Sequence, residues 1–352
     1  MICARLYGRE DLRVEDVIEP QPDSGEVKIA IAHNGLCGTD LREYFEGPMA
    51  CTDHPHPLTG GVLPQIMGHE FAGVVNAVGP DVQSVAVGDR VCVEPLYYCG
   101  DCESCRAGLP QLCRLVITHG ICSNGGGLAQ FTVVPSWMVH PLPASMSLAE
   151  GALVEPLAVA FNGVLRSGVG PGQSALVFGA GPIGIGVVLG LRAMGVEDIL
   201  VIEPVPSRRA AMEALGVEHV IDPTAVDLGI EVRSRNGGRG VDVALDCAGG
   251  ASTFSAAPTL LRPRGRYVIL AVVLEELPLV PWILAKKEVE LTGSCGYESG
   301  VFARVIELIA AGAYPMRGWV EHVELGEVNS AMKDLRAGSR TKLLVDIPAV
   351  SA

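Results

Sequence analysis

Four closely spaced cysteines have the narrowest chemical explanation of any pattern in this sequence. Two-residue gaps separate the first three, and seven residues precede the last: Cys99, Cys102, Cys105 and Cys113. Two-residue gaps let successive thiolates turn inward on one backbone knuckle, as a tetrahedral four-sulfur zinc site requires. Because four protein ligands leave no coordination position for a substrate, we expect this zinc to be structural.

Two other interpretations of the cysteines compete with zinc. One is a set of buried or disulfide-linked cysteines. The other is an iron–sulfur cluster, since the bacterial ferredoxin pattern has the same first two gaps. That pattern closes after three residues and is followed by proline, whereas Cys113 comes after seven residues and precedes Arg114. The spacing therefore favours zinc.

Three further segments carry the sulfur, nitrogen and oxygen donors that zinc accepts: Cys37-Gly38-Thr39-Asp40, Gly68-His69-Glu70 and Glu155-Pro156. Each donor has an ordinary alternative, because Cys37 can be a core thiol, His69 a turn histidine and Glu155 an acid on a helix face. Together the three donors fill three positions of a zinc ion and leave the fourth open. An open zinc acts as a Lewis acid that lowers the pKa of a bound hydroxyl and polarises a carbonyl.

A glycine-rich turn between a predicted strand and a predicted helix indicates a dinucleotide site. Gly179 allows the turn, Gly181 lets a pyrophosphate approach and Gly184 lets the helix pack on the strand. The helix N-terminus offers unpaired N–H groups to the phosphates. Glu203 ends the next strand, where an acid binds the ribose hydroxyls and repels a 2′-phosphate, so NAD is favoured over NADP. Arg208 and the arginine after it keep NADP open.

The elements that must position these groups fall into two regions. Residues 1 to about 90 are β-rich, with a loop over 47–61, and the zinc lobe follows them. After about Ser145 a single helix is predicted over 148–167, and strands then alternate with helices. The predicted strands begin at Ser174, Ile199, His219, Val241 and Arg266. Repeated strand–helix units predict a parallel sheet covered on both faces, within an α/β protein that also has a β-rich part.

The length, the net charge and the distribution of apolar residues exclude several classes of protein. A length of 352 residues favours two domains, and a formal charge of −14 argues against nucleic acid or an anionic membrane as partner. The first residues lack the pattern of a signal peptide, and glycines and a proline interrupt the most apolar segment, 174–191. We therefore expect reduced cysteines and a cytoplasmic location.

Over nearly its whole length the chain resembles zinc-dependent medium-chain alcohol dehydrogenases. The resemblance rests on the three donor segments, the four-cysteine lobe and the glycine motif. Glu155 stands where simple alcohol dehydrogenases carry a cysteine, which points to the polyol and diol branch. Within that branch, Gly47-Pro48 followed by His56-Pro57-Leu58-Thr59-Gly60 is similar to 2,3-butanediol dehydrogenases. Gly296 precedes Tyr297 where sugar-alcohol members often carry an arginine, which suits a small uncharged diol.

The resemblance implies a GroES-like catalytic domain over 1–150, a Rossmann NAD-binding domain over 151–294 and a return to the catalytic domain over 295–352. It implies two zinc ions per chain, and a homodimer or homotetramer built mainly through the nucleotide domains. The implied reaction is the reversible oxidation of a small secondary alcohol or vicinal diol by NAD. A sorbitol-like polyol dehydrogenase, a threonine dehydrogenase and a non-catalytic NAD-binding protein such as a lens crystallin remain alternatives.

The resemblance also assigns roles to individual residues. Cys37, His69 and Glu155 hold the catalytic zinc, and Glu70 is either a ligand in some states or an acid beside it. Thr39 hydrogen-bonds the substrate oxygen. The residues expected to touch the cofactor are Ile183, Glu203 and Arg208 on the adenosine half and Ala271, Val272, Val273, Ser294, Cys295 and Gly296 near the nicotinamide.

The chain departs from the family pattern at Arg42, where many relatives carry a histidine that serves as the outer proton relay. Arginine stays protonated in proteins and cannot exchange a proton. The proton must therefore leave by water or through another group, and Glu43, His54 and His56 are the candidates.

We predict opposite outcomes for two substitutions on this segment. Thr39→Val removes the hydroxyl that carries the proton and abolishes most turnover, whereas Arg42→Ala retains much of it. Steady-state kcat values of the two variants test this expectation. A collapse of the Arg42→Ala activity in a correctly folded protein would contradict it.

Overall fold

The computed structural model describes residues 1–235 and 237–349, and two units can be separated within them. The first unit takes in residues 1–156, 298–310 and the described residues from 320 onward. The second takes in residues 157–297 and 311–319. The proposed metal ligands all lie in the first unit, and the glycine motif lies in the second.

The first part of the chain is built of strands, as its alternating pattern predicts. They are β1 (Ile2–Gly8), β2 (Asp11–Asp16), β3 (Glu26–Gly35), β4 (Gln65–Ile66), β5 (Glu70–Val78), β6 (Arg90–Val93), β7 (Leu96–Tyr97), β8 (Ile117–Thr118), β9 (Phe131–Pro135) and β10 (Val139–Pro141). The helices are α1 (Gly38–Glu46), α2 (Glu103–Arg106), α3 (Leu148–Ala152) and α4 (Val154–Ser167). Short 3₁₀ helices occupy Pro110–Leu112 and Ser136–Met138.

The sequence patterns do not predict helix α1. Its first residues, Gly38 and Thr39, are poor helix formers, so the local signal is weak. Tertiary contacts compensate, because Tyr44 and Phe45 are buried in the core of the first unit. The carboxylate of Asp40 also accepts the backbone N–H of Cys37 at 2.9 Å, which satisfies one of the donors at the helix N-terminus.

The predicted helix over 148–167 is in fact two helices, α3 and α4, separated at Leu153. Pro156 explains the break, since a proline ring clashes with the carbonyl four residues earlier and is tolerated only in a first helical turn. The restart places Glu155 in the first turn of α4. A carboxylate there lies at the positive end of the helix dipole.

The second unit alternates strands and helices. Its strands are β11 (Ser174–Phe178), β12 (Asp198–Ile202), β13 (His219–Ile221), β14 (Val241–Asp246), β15 (Leu261–Ile269) and β16 (Glu290–Gly293). Its helices are α5 (Pro182–Ala193), α6 (Pro206–Ala214), α7 (Leu228–Arg235), α8 (Ala251–Leu260) and α9 (Pro281–Lys287). In the described residues the sheet is parallel with order β13-β12-β11-β14-β15-β16. This is the doubly wound dinucleotide-binding topology that the sequence predicts.

The last elements are α10 (Val301–Ala310), β17 (Val320–Glu324), a 3₁₀ turn (Leu325–Glu327), α11 (Val328–Arg336) and β18 (Lys342–Asp346). Strand β18 lies between β3 and β17 in the large sheet of the first unit. The chain end therefore brings Lys342 and Asp346 beside a strand more than three hundred residues earlier in the sequence. Among the helices within 1–235 and 237–349, none combines the length and apolarity needed to cross a bilayer.

Candidate metal centres and cofactor cavity

The four sulfurs of the cysteine lobe lie as a tetrahedral metal site requires. The Sγ atom of Cys105 is 3.5 Å from that of Cys102 and 4.0 Å from that of Cys99, and the Cys113 and Cys99 sulfurs are 3.5 Å apart. Zinc–sulfur bonds of 2.3 Å at tetrahedral angles separate the sulfurs by about 3.8 Å. A disulfide would need about 2.05 Å. The separations therefore fit a four-thiolate metal site and do not fit disulfides.

The backbone of the lobe stabilises negative charge on the sulfurs. The N–H groups of Cys99 and Leu115 both point at the Cys113 sulfur at 3.3 Å. A hydrogen bond from the backbone N–H of Cys105 lowers the pKa of Cys102 to about 6. The pKa of Cys113 is also lowered, whereas burial raises that of Cys105, so the backbone favours the metal-binding thiolate form at Cys102 and Cys113.

The second group of predicted ligands also comes together. The ligand atoms of Cys37, His69 and Glu70 lie within 4.8 Å of one another. Cys37 caps the N-terminus of α1, and Glu70 begins β5 directly after His69. His69 and Glu70 are buried, while Thr39 is exposed with its hydroxyl 3.8 Å from the Cys37 sulfur. One sulfur, one imidazole and one carboxylate form a donor set suited to zinc.

Asp40 organises this cluster although the sequence assigns it no role. Its side chain is fully buried, with one carboxylate oxygen on the Cys37 N–H and the other 3.4 Å from Nδ1 of His69. Burial by itself lowers the pKa of His69, but Asp40 and Cys37 outweigh it and hold the pKa well above its ordinary value. The surroundings of His69 therefore favour positive charge at this point.

A buried ion pair lies on the other side of the cluster. The ammonium group of Lys342 contacts Oε2 of Glu70, and both side chains are 1% exposed. Lys342 also donates to the carbonyl oxygen of Leu36 at 2.9 Å. The second oxygen of Glu70, Oε1, is buried without a hydrogen-bond partner in the structure. An orphaned carboxylate oxygen beside Cys37 and His69 fits a cation ligand.

Glu155, the third predicted ligand, is not part of the group formed by Cys37, His69 and Glu70. It is nevertheless close enough for their charges to act on it. Burial raises the pKa of Glu155 to about 7, and the charges of His69, Glu70 and Lys342 contribute smaller effects. Of the two candidate carboxylates, Glu70 is the one placed among the other donors.

The glycine turn has the geometry that its spacing predicts. Gly179 has a φ of +94°, in the region that favours glycine. A Cβ atom on Gly184 would lie 1.9 Å from the carbonyl oxygen of Gly179, so only glycine lets α5 approach β11 this closely. Around Gly181, by contrast, a Cβ would meet no atom within 4 Å. Space for a ligand is therefore left beside the N-terminus of α5.

A cavity of about 390 Å³ in the second unit joins several of the predicted cofactor residues. Gly179, Gly181, Glu203 and Arg208 line it. The carboxylate of Glu203 accepts the backbone N–H groups of Ala180 and Val205, each at 2.8 Å, which fixes its orientation. The Nε atom of Arg208 is buried without a hydrogen-bond partner in the structure. These groups fit the adenosine half of a dinucleotide.

The remaining predicted cofactor residues lie outside this cavity. Ile183 and Gly184 are on α5, and the residues expected near the nicotinamide follow β15 and β16 at the carboxyl edge of the sheet. Gly249, which lines the cavity, lies against Ala271 and Val273. The Oγ atom of Ser294 accepts a hydrogen bond from Asn162 at 3.0 Å, Cys295 is exposed and Gly296 has a φ of +55°.

Residues 23–144 match the alcohol dehydrogenase GroES-like domain family, and residues 182–311 match the zinc-binding dehydrogenase family. The (R,R)-butanediol dehydrogenase of Bacillus subtilis (strain 168) is 36% identical over 316 residues, which cover 89% of each chain. The chain belongs to the zinc-binding alcohol dehydrogenase family. The predicted resemblance is therefore confirmed, and the protein is an oxidoreductase of a zinc- and nicotinamide-dependent family.

One further relative and one crystal structure resemble the chain over almost its whole length. The 2-dehydro-3-deoxy-L-galactonate 5-dehydrogenase of Pseudoalteromonas atlantica (strain T6c / ATCC BAA-1087) is 34% identical over 336 residues, 95% of each chain. A crystal structure of 2R,3R-butanediol dehydrogenase from Bacillus subtilis superposes with a TM-score of 0.93 at 34% identity, covering 98% of this chain and 99% of that one. The predicted combination of GroES-like and Rossmann folds is confirmed.

The sequence patterns give no role to Lys342 or Asp40 and leave the role of Glu43 undecided. Lys342 has no local signal, because it reaches Glu70 only through the pairing of β18 with β3. Asp40 is visible in the Cys-Gly-Thr-Asp segment, but its role depends on the unpredicted helix α1. Glu43, a candidate for the proton route, is buried and accepts the backbone N–H groups of Met49 and Ala50 at 2.8 and 3.1 Å. It therefore holds the following loop.

We predict that removing one partner of the buried ion pair between Lys342 and Glu70 lowers the free energy of unfolding. Lys342→Met leaves the Glu70 carboxylate buried without its ammonium partner, so the free energy of unfolding falls by about 3–5 kcal/mol. The double variant Lys342→Met/Glu70→Gln regains part of that loss because no charge is left unpaired. Urea unfolding followed by circular dichroism measures both, with the zinc content of each variant determined alongside.

The exposed pair of Arg304 and Glu307 supplies the control, and Arg304→Met should cost less than about 1 kcal/mol. If Lys342→Met were no worse than Arg304→Met, the buried pair would not constrain the site.

Proposed function

We propose that this dehydrogenase catalyses the reversible, NAD-dependent oxidation of a small secondary alcohol or vicinal diol, of the 2,3-butanediol and acetoin type. The observation that carries the proposal is the convergence of Cys37, His69 and Glu70, in a chain similar to butanediol dehydrogenases. Gly296, in place of the arginine that sugar-alcohol members often carry, supports a small uncharged substrate. A polyol or sugar-acid substrate is the alternative, favoured by the similarity to the galactonate 5-dehydrogenase.

We assign the catalytic zinc to Cys37, His69 and a carboxylate from Glu70 or Glu155, and the structural zinc to the four cysteines of the lobe. When bound, the catalytic zinc supplies Lewis acidity that lowers the pKa of an alcohol and polarises a ketone. We assign to the Thr39 hydroxyl the role of accepting the substrate proton and passing it outward, and its exposure beside Cys37 supports that role. The protein contributes alignment and charge stabilisation to hydride transfer, whose chemistry belongs to the cofactor.

The cofactor assignment rests on Glu203. Its carboxylate is 2% exposed and faces the cavity that fits the adenosine half, where it would repel a 2′-phosphate. Arg209 is already engaged, because it donates to the carbonyl oxygens of Glu203 and Pro204 and pairs with Asp222 at 2.9 Å. Of these two arginines, Arg208 is left to receive a phosphate, but it lines the same cavity as the Glu203 carboxylate, which would repel a 2′-phosphate. We therefore propose NAD.

The edge of the second unit suggests how copies of the chain associate. Strand β16 ends the order of the parallel sheet, and large apolar side chains on it and in the segment that joins it to β15 are exposed: Leu274 at 75%, Val280 at 59%, Trp282 at 68% and Leu291 at 40%. An uncovered strand edge with exposed apolar side chains is typical of an interface. We propose that two chains meet here, giving a homodimer or a homotetramer built from that dimer.

A four-thiolate zinc site also needs reduced cysteines, which supports a cytoplasmic location.

We expect steady-state kinetics to separate the substrate classes and the cofactors. With NAD, kcat/KM should be highest for a stereoisomer of 2,3-butanediol and, in the reverse direction, for acetoin, above sorbitol and threonine. NAD should be preferred over NADP by at least about tenfold, because a buried like charge costs several kcal/mol. Glu203→Gln should reduce that preference, whereas Glu213→Gln, an exposed acid on α6, should not.

Higher kcat/KM on a sugar alcohol or sugar acid would replace the diol proposal, and equal use of both cofactors would remove the role given to Glu203. Absence of turnover in protein that holds both zinc ions would favour the non-catalytic alternative.

The association of subunits is tested by sedimentation. Trp282→Ser removes the largest of these exposed apolar side chains, which lies on α9 in the segment before β16, and should shift the protein toward monomer at micromolar concentration. Ile230→Ser is the matched control, because Ile230 is 66% exposed on α7 of the same unit. A stable oligomer in the Trp282→Ser variant, with an unchanged mass distribution, would rule out this edge as the interface.

A further inference from the structure

A third group of potential metal ligands lies on the large sheet of the first unit. His33 on β3, Asp346 on β18 and His322 on β17 offer ligand atoms within 4.8 Å of one another. Nδ1 of His33 is 2.8 Å from Oδ1 of Asp346, and Nδ1 of His322 is 2.7 Å from the same oxygen. The three residues come from three neighbouring strands, and no sequence motif connects them.

The two rings are aimed at a single point. Their centroids are 5.5 Å apart and their planes cross at 82°, so the Nδ1 atoms converge on Asp346 from different directions. An ionised carboxylate can only accept hydrogen bonds, and therefore each Nδ1 atom carries the donated proton. The two imidazole nitrogens now donate hydrogen bonds to one carboxylate oxygen. A metal ion would take the place of the two donated protons and bond to both nitrogens.

We propose that His33, His322 and Asp346 form a third metal site, which binds a divalent transition-metal ion of the zinc, nickel and copper group. Two imidazoles and one carboxylate are the ligands that such ions accept, whereas calcium and magnesium prefer oxygen ligands alone. The side chains of His322 and Asp346 are 43% and 37% exposed, so an ion can enter from solvent and keep water in its remaining positions.

Little movement is needed to admit the ion. Metal–ligand bonds of 2.0–2.2 Å at tetrahedral angles separate neighbouring ligand atoms by about 3.4 Å, so each nitrogen must withdraw from the oxygen by only about 0.6 Å. The proton balance is also simple. Each neutral ring moves its single proton from Nδ1 to Nε2, and Nδ1 then donates its lone pair to the ion. No proton leaves a neutral ring.

This site is separate from the Cys37–His69–Glu70 cluster. Lys342, which contacts Glu70, precedes Asp346 by four residues on β18, a distance of about 13 Å along a strand. The ion would join β17, at the end of the sheet order, to β18 and β3. Binding to the folded state alone would raise the stability of the first unit by mass action.

Equilibrium dialysis against Ni²⁺ tests the proposal on the 352-residue chain loaded with zinc. Elemental analysis counts nickel and zinc separately. The wild type should bind one additional Ni²⁺ per chain while its zinc is retained, and its thermal midpoint should rise with Ni²⁺ concentration. His322→Ala and Asp346→Asn should each weaken Ni²⁺ binding by at least about tenfold and abolish the thermal shift.

His140→Ala is the matched control. His140 lies 3.0 Å from Glu94 in the same unit and is similarly half-buried, but this pair is not among the groups with a third ligand. The variant should bind Ni²⁺ as the wild type does. The proposal is overturned if no additional nickel binds, if each nickel bound is matched by a zinc released, or if binding survives both His322→Ala and Asp346→Asn.

Discussion

The burial of negative charge around His69 is the constraint on which the first unit depends. Asp40, Glu70 and Glu155 are all buried, and the Cys37 sulfur lies beside them, whereas Lys342 is the one buried lysine of this group. Burying an ionised carboxylate is costly unless a cation or hydrogen-bond donors compensate it. Asp40 and Cys37 raise the pKa of His69 against the opposing effect of burial, whereas burial itself raises the pKa of Glu155. A cation bound by Cys37, His69 and Glu70, as proposed above, would compensate this negative charge.

The local structure distributes these charges over elements that cannot easily shift. Asp40 is fixed by its bond to the Cys37 backbone, Lys342 by its bond to the Leu36 carbonyl oxygen, and Glu70 by its place at the start of β5. The first turn of α4 holds Glu155. Donors placed on rigid elements lose little conformational freedom when they bind, and an electrostatic site of this kind is organised before the substrate arrives.

The first unit has to compensate buried negative charge, whereas the second unit of this acidic protein has to bind an anionic dinucleotide. The groups proposed to bind it are backbone N–H groups at the start of α5, with Arg208 as a basic side chain in the cavity beside them. Two further backbone N–H groups, of Ala180 and Val205, orient the Glu203 carboxylate and offset its charge within the cavity proposed for the cofactor. The charge of −14 is therefore compatible with the cofactor because recognition is local.

Patterns formed by residues close together in the sequence predicted much of this structure. The cysteine spacing, the glycine motif and the alternating segments determine the zinc lobe, the nucleotide turn and most strands, since each depends on residues close together in the chain. Helix α1, the break at Leu153, the partnership of Lys342 with Glu70 and the His33–Asp346–His322 group were decided only by the tertiary structure. Each of these depends on burial or on strand pairing between distant residues, and neither has a signature within a short stretch of sequence.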